Sequence, residues 1–486
     1  MNAVLPAHKT KIVATIGPAS ESPDMLARLI RAGLNVARLN FSHGSPAKHS
    51  EVIQRIRDAA RETGRRVAIM ADLPGPKMRL GKIDPEPIQL LPGARFTLTN
   101  EDIVGNAHRV SMNFDPLPRV VRPGNRIFLN DGLVQLVVER VVGNDVECAV
   151  AVGGELRSRK GLNLPGIELG ISAFTEKDRA ALEFALGAGV DAVSQSFVHC
   201  AADIQAVREA AAKVGRHPFV IAKIERADAI AHYDEILAAS DGIMVARGDL
   251  GVEVPIEEIA YTQKQLIAKA NLAGKPVITA TQMLESMVAS RLPTRAEATD
   301  VANAILDGTD CVMLSGESAM GKFPEEAVAM LAKIAAFTEV HRSSNTLAAR
   351  RDFPQQKITT VAGDRMASVV EHALETVPCD VVLVPTSGGT VARAISRFKP
   401  PVWIIAPSPD PAVCQNLAFS YGVHAVDLAD EPDDWREWID QWLRENGITA
   451  ERVMLVAGPS PRTPKANYRI ELMLLDAEDT STAKRN

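Results

Sequence analysis

Several short apolar runs in this chain end on side chains able to do ionic or acid–base chemistry. Arg38 closes Val36-Ala37, with Asn40, Ser42 and His43 just beyond it. Asp72 closes Ile69-Met70-Ala71, Lys223 and Glu225 close Val220-Ile221-Ala222, and Arg247-Gly248-Asp249 follows Met244-Val245-Ala246. Thr281-Gln282 and Ser315-Gly316-Glu317 end two further runs. In extended chain Lys223 and Glu225 face the same side, because side chains alternate. A lysine beside a carboxylate at a barrel mouth is, seen alone, as readily a mere ion pair as a functional one. Asp249 on a neighbouring strand changes the balance, since two carboxylates repel unless a cation lies between them. Oxygen-only ligation suits Mg2+ or Mn2+, with water and substrate completing the shell. Arg38 and Lys223 add positive charge, so the set suits a phosphorylated or carboxylated substrate and a transferring phosphoryl group. If Gly248 opens a helical turn, backbone N–H groups there bind an anion; a plain glycine-containing loop is the alternative. Gly316-Glu317-Ser318-Ala319-Met320-Gly321-Lys322 matches most of a P-loop, but Phe323 stands where the Mg2+-holding hydroxyl belongs, so the match is set aside.

These groups need a frame, and the apolar runs supply one. Runs at Lys11–Gly17, Val36–Ser42, Val67–Leu73, Ala192–Val198, Phe219–Glu225, Gly242–Asp249, Pro276–Gln282 and Cys311–Glu317 alternate with Ala/Leu-rich stretches of helical period. Eight strands joined by helices close a parallel (β/α)8 TIM barrel, whose reactive groups sit at the C-terminal strand ends. Ser22-Pro23 and Thr175-Glu176-Lys177-Asp178 are helix-start signals. Between the third and fourth strands lie about a hundred residues, far more than a crossover needs. Arg95–Thr99, Arg126–Leu129, Val134–Val141 and Asp145–Val152 alternate or are Val-rich there, which predicts an inserted all-β domain acting as a mobile lid. The barrel ends with a helix over Glu325–Val340, then a polar linker over Arg342–Pro354. A C-terminal open-sheet α/β domain follows, with strands near Val381–Val384, Val402–Ala406, His424–Leu428, Val453–Ala457 and Arg469–Leu475 and helices at Val391–Phe398 and Ala412–Ala418. The organisation is thus barrel (1–72 and 171–341), lid (73–170), C-terminal domain (342–486) and a polar, disordered tail from Asp479.

Bulk properties narrow the class. Net charge is −6 and the pI near 6.0, so no basic field recruits nucleic acid or anionic membrane. No apolar run is long enough to span a bilayer, and the start lacks a signal peptide's apolar centre. The 5 cysteines are dispersed with no Cys-x-x-Cys pair, which suits a reducing cytoplasm.

Taken in order, the segments Thr10–Ser20, Ala37–Gly44, Lys160–Gly166, Ala222–Glu225, Met244–Glu253, Ala280–Met287, Pro293–Glu297 and Met313–Glu317 resemble the pyruvate kinase family closely. The resemblance implies transfer of the phosphoryl group of phosphoenolpyruvate to ADP, giving pyruvate and ATP, in a homotetramer. It implies that Glu225 and Asp249 ligate the divalent metal, that Lys223 stabilises the phosphoryl group in flight, and that Arg38 holds the substrate phosphate. The backbone around Gly248, with Thr281, resembles the carboxylate-binding part. Thr281 also matches a position near the proton relay, which Ser315 and Glu317 extend. Asn40, His43, Arg79 and Lys160 resemble the nucleotide contacts.

Two departures stand out. The family's third-strand segment, Asp-Thr-Lys-Gly-Pro-Glu-Ile-Arg, is here Asp72-Leu73-Pro74-Gly75-Pro76-Lys77-Met78-Arg79. In K+-dependent members a monovalent cation sits beside residues resembling Asn40, Ser42, Asp72 and the Leu73 carbonyl. The expectation is that the Lys77 ammonium replaces it and that K+ is not required, a second cation at close range being unfavourable; a solvent-facing lysine is the alternative. In the C-terminal domain, Thr386-Ser387-Gly388-Gly389-Thr390 precedes a helix and suits a phosphate; the resemblance implies that an allosteric sugar phosphate binds there, and a capped turn with no ligand is the alternative. The loop Gly458–Pro464 departs from the usual Gly/Thr-rich pattern. Rival activities are a metal-dependent carbon–carbon lyase acting on pyruvate enolate and an inactive metabolite-binding regulator.

Overall fold

The computed structural model describes residues 5–342, 362–460 and 462–475. Most of the expected linker and the whole expected tail lie outside them, as does Pro461. Two compact units are present: Met1–Ala71 with Ala185–Val193 and Ile267–Asn486, and Asp72–Phe184 with Ser194–Leu266.

Eight parallel strands close into a barrel in chain order: Lys11–Thr15, Leu34–Asn40, Ala68–Leu73, Ala192–Gln195, Phe219–Ile224, Gly242–Ala246, Val277–Ala280 and Cys311–Leu314. Most are buried along their whole length. That is why they appear in the sequence as unbroken apolar runs rather than alternating ones. All eight expected strands are present, but several stop short of the expected ends. Arg247–Glu253 and Gly316–Ala319 are helices, not strand continuations. Glycine at the first or second position of each, and the polar groups around it, favour a turn once the apolar core is passed.

Local signals account for the helix starts. Ser22 Oγ accepts from Met25 N at 3.3 Å and Pro23 occupies the first position of helix Pro23–Ala32. Thr175 and Asp178 exchange bonds at the start of helix Glu176–Gly187. Asp178, fully buried, also accepts from Gly75 N at 3.0 Å. One cap thereby ties down the loop that leaves the third strand.

The insertion folds as a six-stranded sheet, with Leu162–Asn163, Arg126–Leu129, Val134–Val142, Asp145–Val152, Arg95–Thr99 and Arg109–Ser111 as neighbours. Phe96, Ile127, Leu136, Val146 and Cys148 belong to its apolar core. The turn Asn130-Asp131-Gly132 has positive φ throughout. A Cβ on Gly132 would stand 3.4 Å from Val252, so this turn abuts helix Arg247–Glu253.

The C-terminal sheet runs Val423–Asp427, Trp403–Ser408, Val381–Leu383, Arg452–Ala457, Arg469–Leu474, with only the last pairing antiparallel. Its alternation divides two cores: Val382, Met454 and Val456 face one, Val381, Val453 and Leu455 the other. Helices Ala362–Thr376 and Trp435–Glu445, which sequence patterning did not single out, pack on opposite faces. The sheet is joined to the barrel's N-terminal end by buried polar links. Lys11 Nζ donates to the Val423 carbonyl at 2.7 Å, Asp310 accepts from Tyr421 N at 3.0 Å, and Lys399 pairs with Asp310 at 2.6 Å.

Candidate active site

In the second unit, the ends of the third, fourth and fifth barrel strands bring one cluster of charges together. Lys223 and Glu225, two apart at the end of the fifth strand, meet at 2.8 Å. Asp72, ending the third strand, lies 3.4 Å from the same ammonium. Lys223, Glu225 and Asp72 are 8%, 1% and 2% exposed, which separates this cluster from a surface ion pair. Ser194 of the fourth strand and Ser196 just past its end complete it: Lys223 Nζ donates to Ser196 Oγ at 2.7 Å, and Ser194 Oγ donates to Asp72 at 2.7 Å. Phe197 has φ 58 and donates its backbone N–H to Glu225 at 2.8 Å. Gly75 is pressed against it, since a Cβ there would fall 2.9 Å from the Ser196 carbonyl.

Asp249 sits in the first turn of helix Arg247–Glu253, beside Gly248. Burial, and then the charge of Glu225, push its carboxyl up from the ordinary value, while Lys223 and Lys77 pull it down. Two neighbouring carboxyl groups in a dry place are a donor set for a hard divalent cation. Lys77 belongs to the same cluster. It is half-buried, and burial and then Lys223 lower its pKa, with Asp72 and Glu225 opposing. It is therefore not a purely solvent-facing lysine.

Glu253 and Arg226 were not anticipated. Arg226, 2% exposed, donates to the Ile167 carbonyl at 2.9 Å and pairs with Asp228 at 2.9 Å. Burial raises Glu253 to about 7, with Arg226 opposing. Ser194 and Ser196 were missed as well, although their i, i+2 spacing at the end of a buried apolar run was a legible sign of one shared face.

In the first unit, Arg38 is 9% exposed and donates to Thr15 Oγ1 at 2.8 Å, its register partner on the first strand. Asn40 Oδ1 accepts from Ser42 N at 3.0 Å, and exposed His43 donates its N–H to the Asn40 carbonyl at 3.2 Å. Thr281 and Gln282 directly follow the seventh strand with φ 68 and 54, and Thr281 Oγ1 donates to the Ala280 carbonyl at 2.6 Å. Consecutive left-handed non-glycine residues are costly and persist where surrounding structure holds them. Fully buried Glu317 does part of that holding, accepting from Leu284 N at 3.1 Å and Ser315 N at 2.7 Å.

Arg79 and Lys160 are brought to one ladder of the second unit. Leu80 N donates to the Lys160 carbonyl at 3.0 Å, and Arg79 Nη1 reaches the Arg159 carbonyl at 3.0 Å. In the C-terminal domain, Thr386 and Ser387 line a cavity of about 550 Å³ with Trp435, Asp430, Glu431 and Arg462. Thr386 Oγ1 accepts from Gly389 N at 2.8 Å, and Arg393 donates to the Gly388 carbonyl at 2.7 Å. Arg462 pairs with Asp433.

Residues 7–328 match the family model described as pyruvate kinase, barrel domain, and residues 364–468 that of the pyruvate kinase alpha/beta domain. The chain is 51% identical to a pyruvate kinase of Thermococcus litoralis over 422 residues, covering 86% of this chain and 89% of that one. It is 40% identical to a pyruvate kinase of Corynebacterium efficiens over 480 residues, covering 98% and 100%. A crystal structure of a pyruvate kinase from Cryptosporidium parvum superposes with a TM-score of 0.89 at 36% identity, covering 96% of each chain. Fold, buried charge cluster and relatives at this identity agree, and the chain belongs to the pyruvate kinase family.

Proposed function

We propose that Lys223, Arg38, Glu225, Asp249 and Thr281 carry, in this chain, the family's phosphoryl transfer from phosphoenolpyruvate to ADP. The observation that supports it is the buried Lys223–Glu225–Asp72 cluster, with Asp249 raised by burial and then by Glu225. Glu225 and Asp249 would hold Mg2+ or Mn2+, which when bound supplies positive charge for the phosphoryl oxygens and the enolate oxygen. Lys223 binds the phosphoryl group in flight through an ammonium already oriented by Ser196. Arg38 holds the substrate phosphate, and its bond to Thr15 limits where the guanidinium can point. The backbone around Gly248 and Thr281 receives the carboxylate. The proton that converts enolpyruvate to pyruvate arrives by way of Thr281. Ser315 and Glu317 support that path, Glu317 by fixing the backbone on either side of it. Asn40, His43, Arg79 and Lys160 contact the nucleotide, and residues 73–170 act as the lid. A lactate-dehydrogenase-coupled assay with Mg2+, ADP and phosphoenolpyruvate tests the reading; folded protein forming no pyruvate would end it.

The Lys77 ammonium takes the place of a monovalent cation beside Asp72. Its electrostatic coupling to Asp72, Lys223 and Glu225 supports this. Activity in tetramethylammonium buffer free of K+ should equal that with K+; near-complete loss, restored by K+, would refute it. The enzyme is a cytoplasmic homotetramer working in glycolysis, and the cavity beside Thr386–Thr390 takes a phosphorylated effector. Activation assays with sugar phosphates and AMP, and sedimentation of the full chain, test these points.

A further inference from the structure

Among the described residues, one mixed group of imidazole, thiol and carboxylate stands close enough to share an ion. It is His199, Cys200 and Asp203, whose donor atoms all lie within 4.8 Å of one another. They occupy the loop after the fourth barrel strand and the first turn of helix Ala201–Lys213. Asp203 is 2% exposed and its two oxygens have separate tasks. Oδ1 accepts from Ser172 Oγ at 3.2 Å and Ala173 N at 2.8 Å. Oδ2 faces His199 Nδ1 at 2.8 Å and Cys200 Sγ at 3.8 Å, and accepts from the backbone N–H groups of His199 at 3.0 Å and Cys200 at 3.3 Å.

A helix cap explains the carboxylate and involves the thiol, whose sulfur takes part in the capping box, but it does not require the imidazole. The capping bonds come from backbone N–H groups, which any residue but proline supplies at positions 199 and 200. The imidazole is additional, and imidazole and thiol are the donors that borderline-soft cations prefer. Tetrahedral zinc, with bonds of about 2.0–2.3 Å, places its donors roughly 3.3–3.8 Å apart. The Cys200–Asp203 separation of 3.8 Å already meets that spacing, and the His199–Asp203 contact of 2.8 Å need open only slightly. The His199 side chain is 27% exposed, which gives an ion a way in and water a place to complete the shell.

We propose that His199, Cys200 and Asp203 form a second metal site, which takes a borderline transition-metal cation such as Zn2+ and leaves Mg2+ to the oxygen donors Glu225 and Asp249. On binding, the thiol releases its proton to solvent. The imidazole carries its proton on Nε2, so that the Nδ1 lone pair faces the ion. Oδ1 keeps its bonds to Ser172 and Ala173.

Co2+ titration of the full chain under saturating Mg2+ tests this, because a thiolate ligand has its own near-ultraviolet charge-transfer absorption. The wild type should gain that band with one equivalent of Co2+ and lose it to Zn2+. Cys200→Ser should abolish the band, and His199→Gln should weaken Co2+ binding by about tenfold or more. Cys379→Ser, at another half-buried cysteine, should leave the band intact. Both site variants keep the backbone cap, so far-ultraviolet dichroism and Mg2+-dependent activity should be unchanged. No near-ultraviolet band in the wild type, or the same band in Cys200→Ser, would overturn the site whether or not the variants fold.

Discussion

Ser196 holds the Lys223 ammonium at 2.7 Å in a buried setting, so its hydroxyl orients that ammonium directly. Ser196→Ala should lower kcat by roughly five- to tenfold, the worth of about 1 kcal/mol for one bond, with little change in KM for phosphoenolpyruvate. An equal rise in KM would assign Ser196 to substrate binding instead. Lys223→Arg keeps the charge but replaces a compact ammonium by a planar fork. Turnover should fall on the order of 10²-fold or more, while urea unfolding should shift far less than the ~3–5 kcal/mol expected when a buried carboxylate loses its partner. Lys77→Glu reverses a charge coupled to Asp72 and Lys223. Without K+ its activity should drop at least about tenfold, roughly the worth of one surface-screened unit charge, and recover with added K+. A variant indifferent to K+ would leave Lys77 without the proposed role.

The loop after the seventh strand is held by a helix that starts beyond it. Thr294 Oγ1 accepts from Glu297 N at 3.2 Å, and the Glu297 carboxylate accepts from Thr294 N at 2.7 Å and from Ser286 N at 2.7 Å. One capping box therefore secures helix Arg295–Asp307 and also the turn Glu285–Val288 that follows Thr281. Thr294→Ala should cost about 1 kcal/mol in urea unfolding and leave kcat nearly intact. Glu297→Ala should cost more and also lower kcat, because the left-handed Thr281–Gln282 pair loses part of its support. Equal stability losses with unchanged kcat in both would separate the box from the site.

At the scale of the whole chain, the join between barrel and C-terminal sheet carries buried titratable groups. His8, at the barrel's N-terminal end, is 4% exposed, its ring bonded to the Thr10 carbonyl at 2.8 Å. Burial lowers its pKa from 6.5 to about 4. Between those values the unfolded chain binds the proton and the folded chain does not, so stability is full above 6.5 and falls as pH drops toward 4. The loss from this one group approaches about 3 kcal/mol. His424, in the C-terminal sheet, is lowered to about 4 for the same reason and acts in the same window. Thermal midpoints from pH 7 to pH 4 should fall steeply in the wild type and less steeply in His8→Gln; parallel curves would exclude His8 as the sensor.

Strand burial was legible because barrel strands hidden on both faces need apolar residues at every position, and Val220-Ile221-Ala222 or Met244-Val245-Ala246 can serve no other purpose. The pairing of Lys223 with Glu225 followed from the same alternation, and the capping residues announced where helices begin. Strand ends were less legible. Whether Arg247 continues a strand or opens a helix depends on where the neighbouring strands stop, which is a property of the closed barrel. Helix Ala362–Thr376 packs its buried face on a sheet whose strands are scattered along the chain, and local pattern did not mark it out. The same holds for the serines beside Lys223 and Asp72, for Arg226 reaching Ile167, and for a backbone N–H of Phe197 aimed at Glu225. Residue types set what chemistry the chain can offer. Only three-dimensional closure, by removing water from these groups and choosing their partners, decided which of them act on one another.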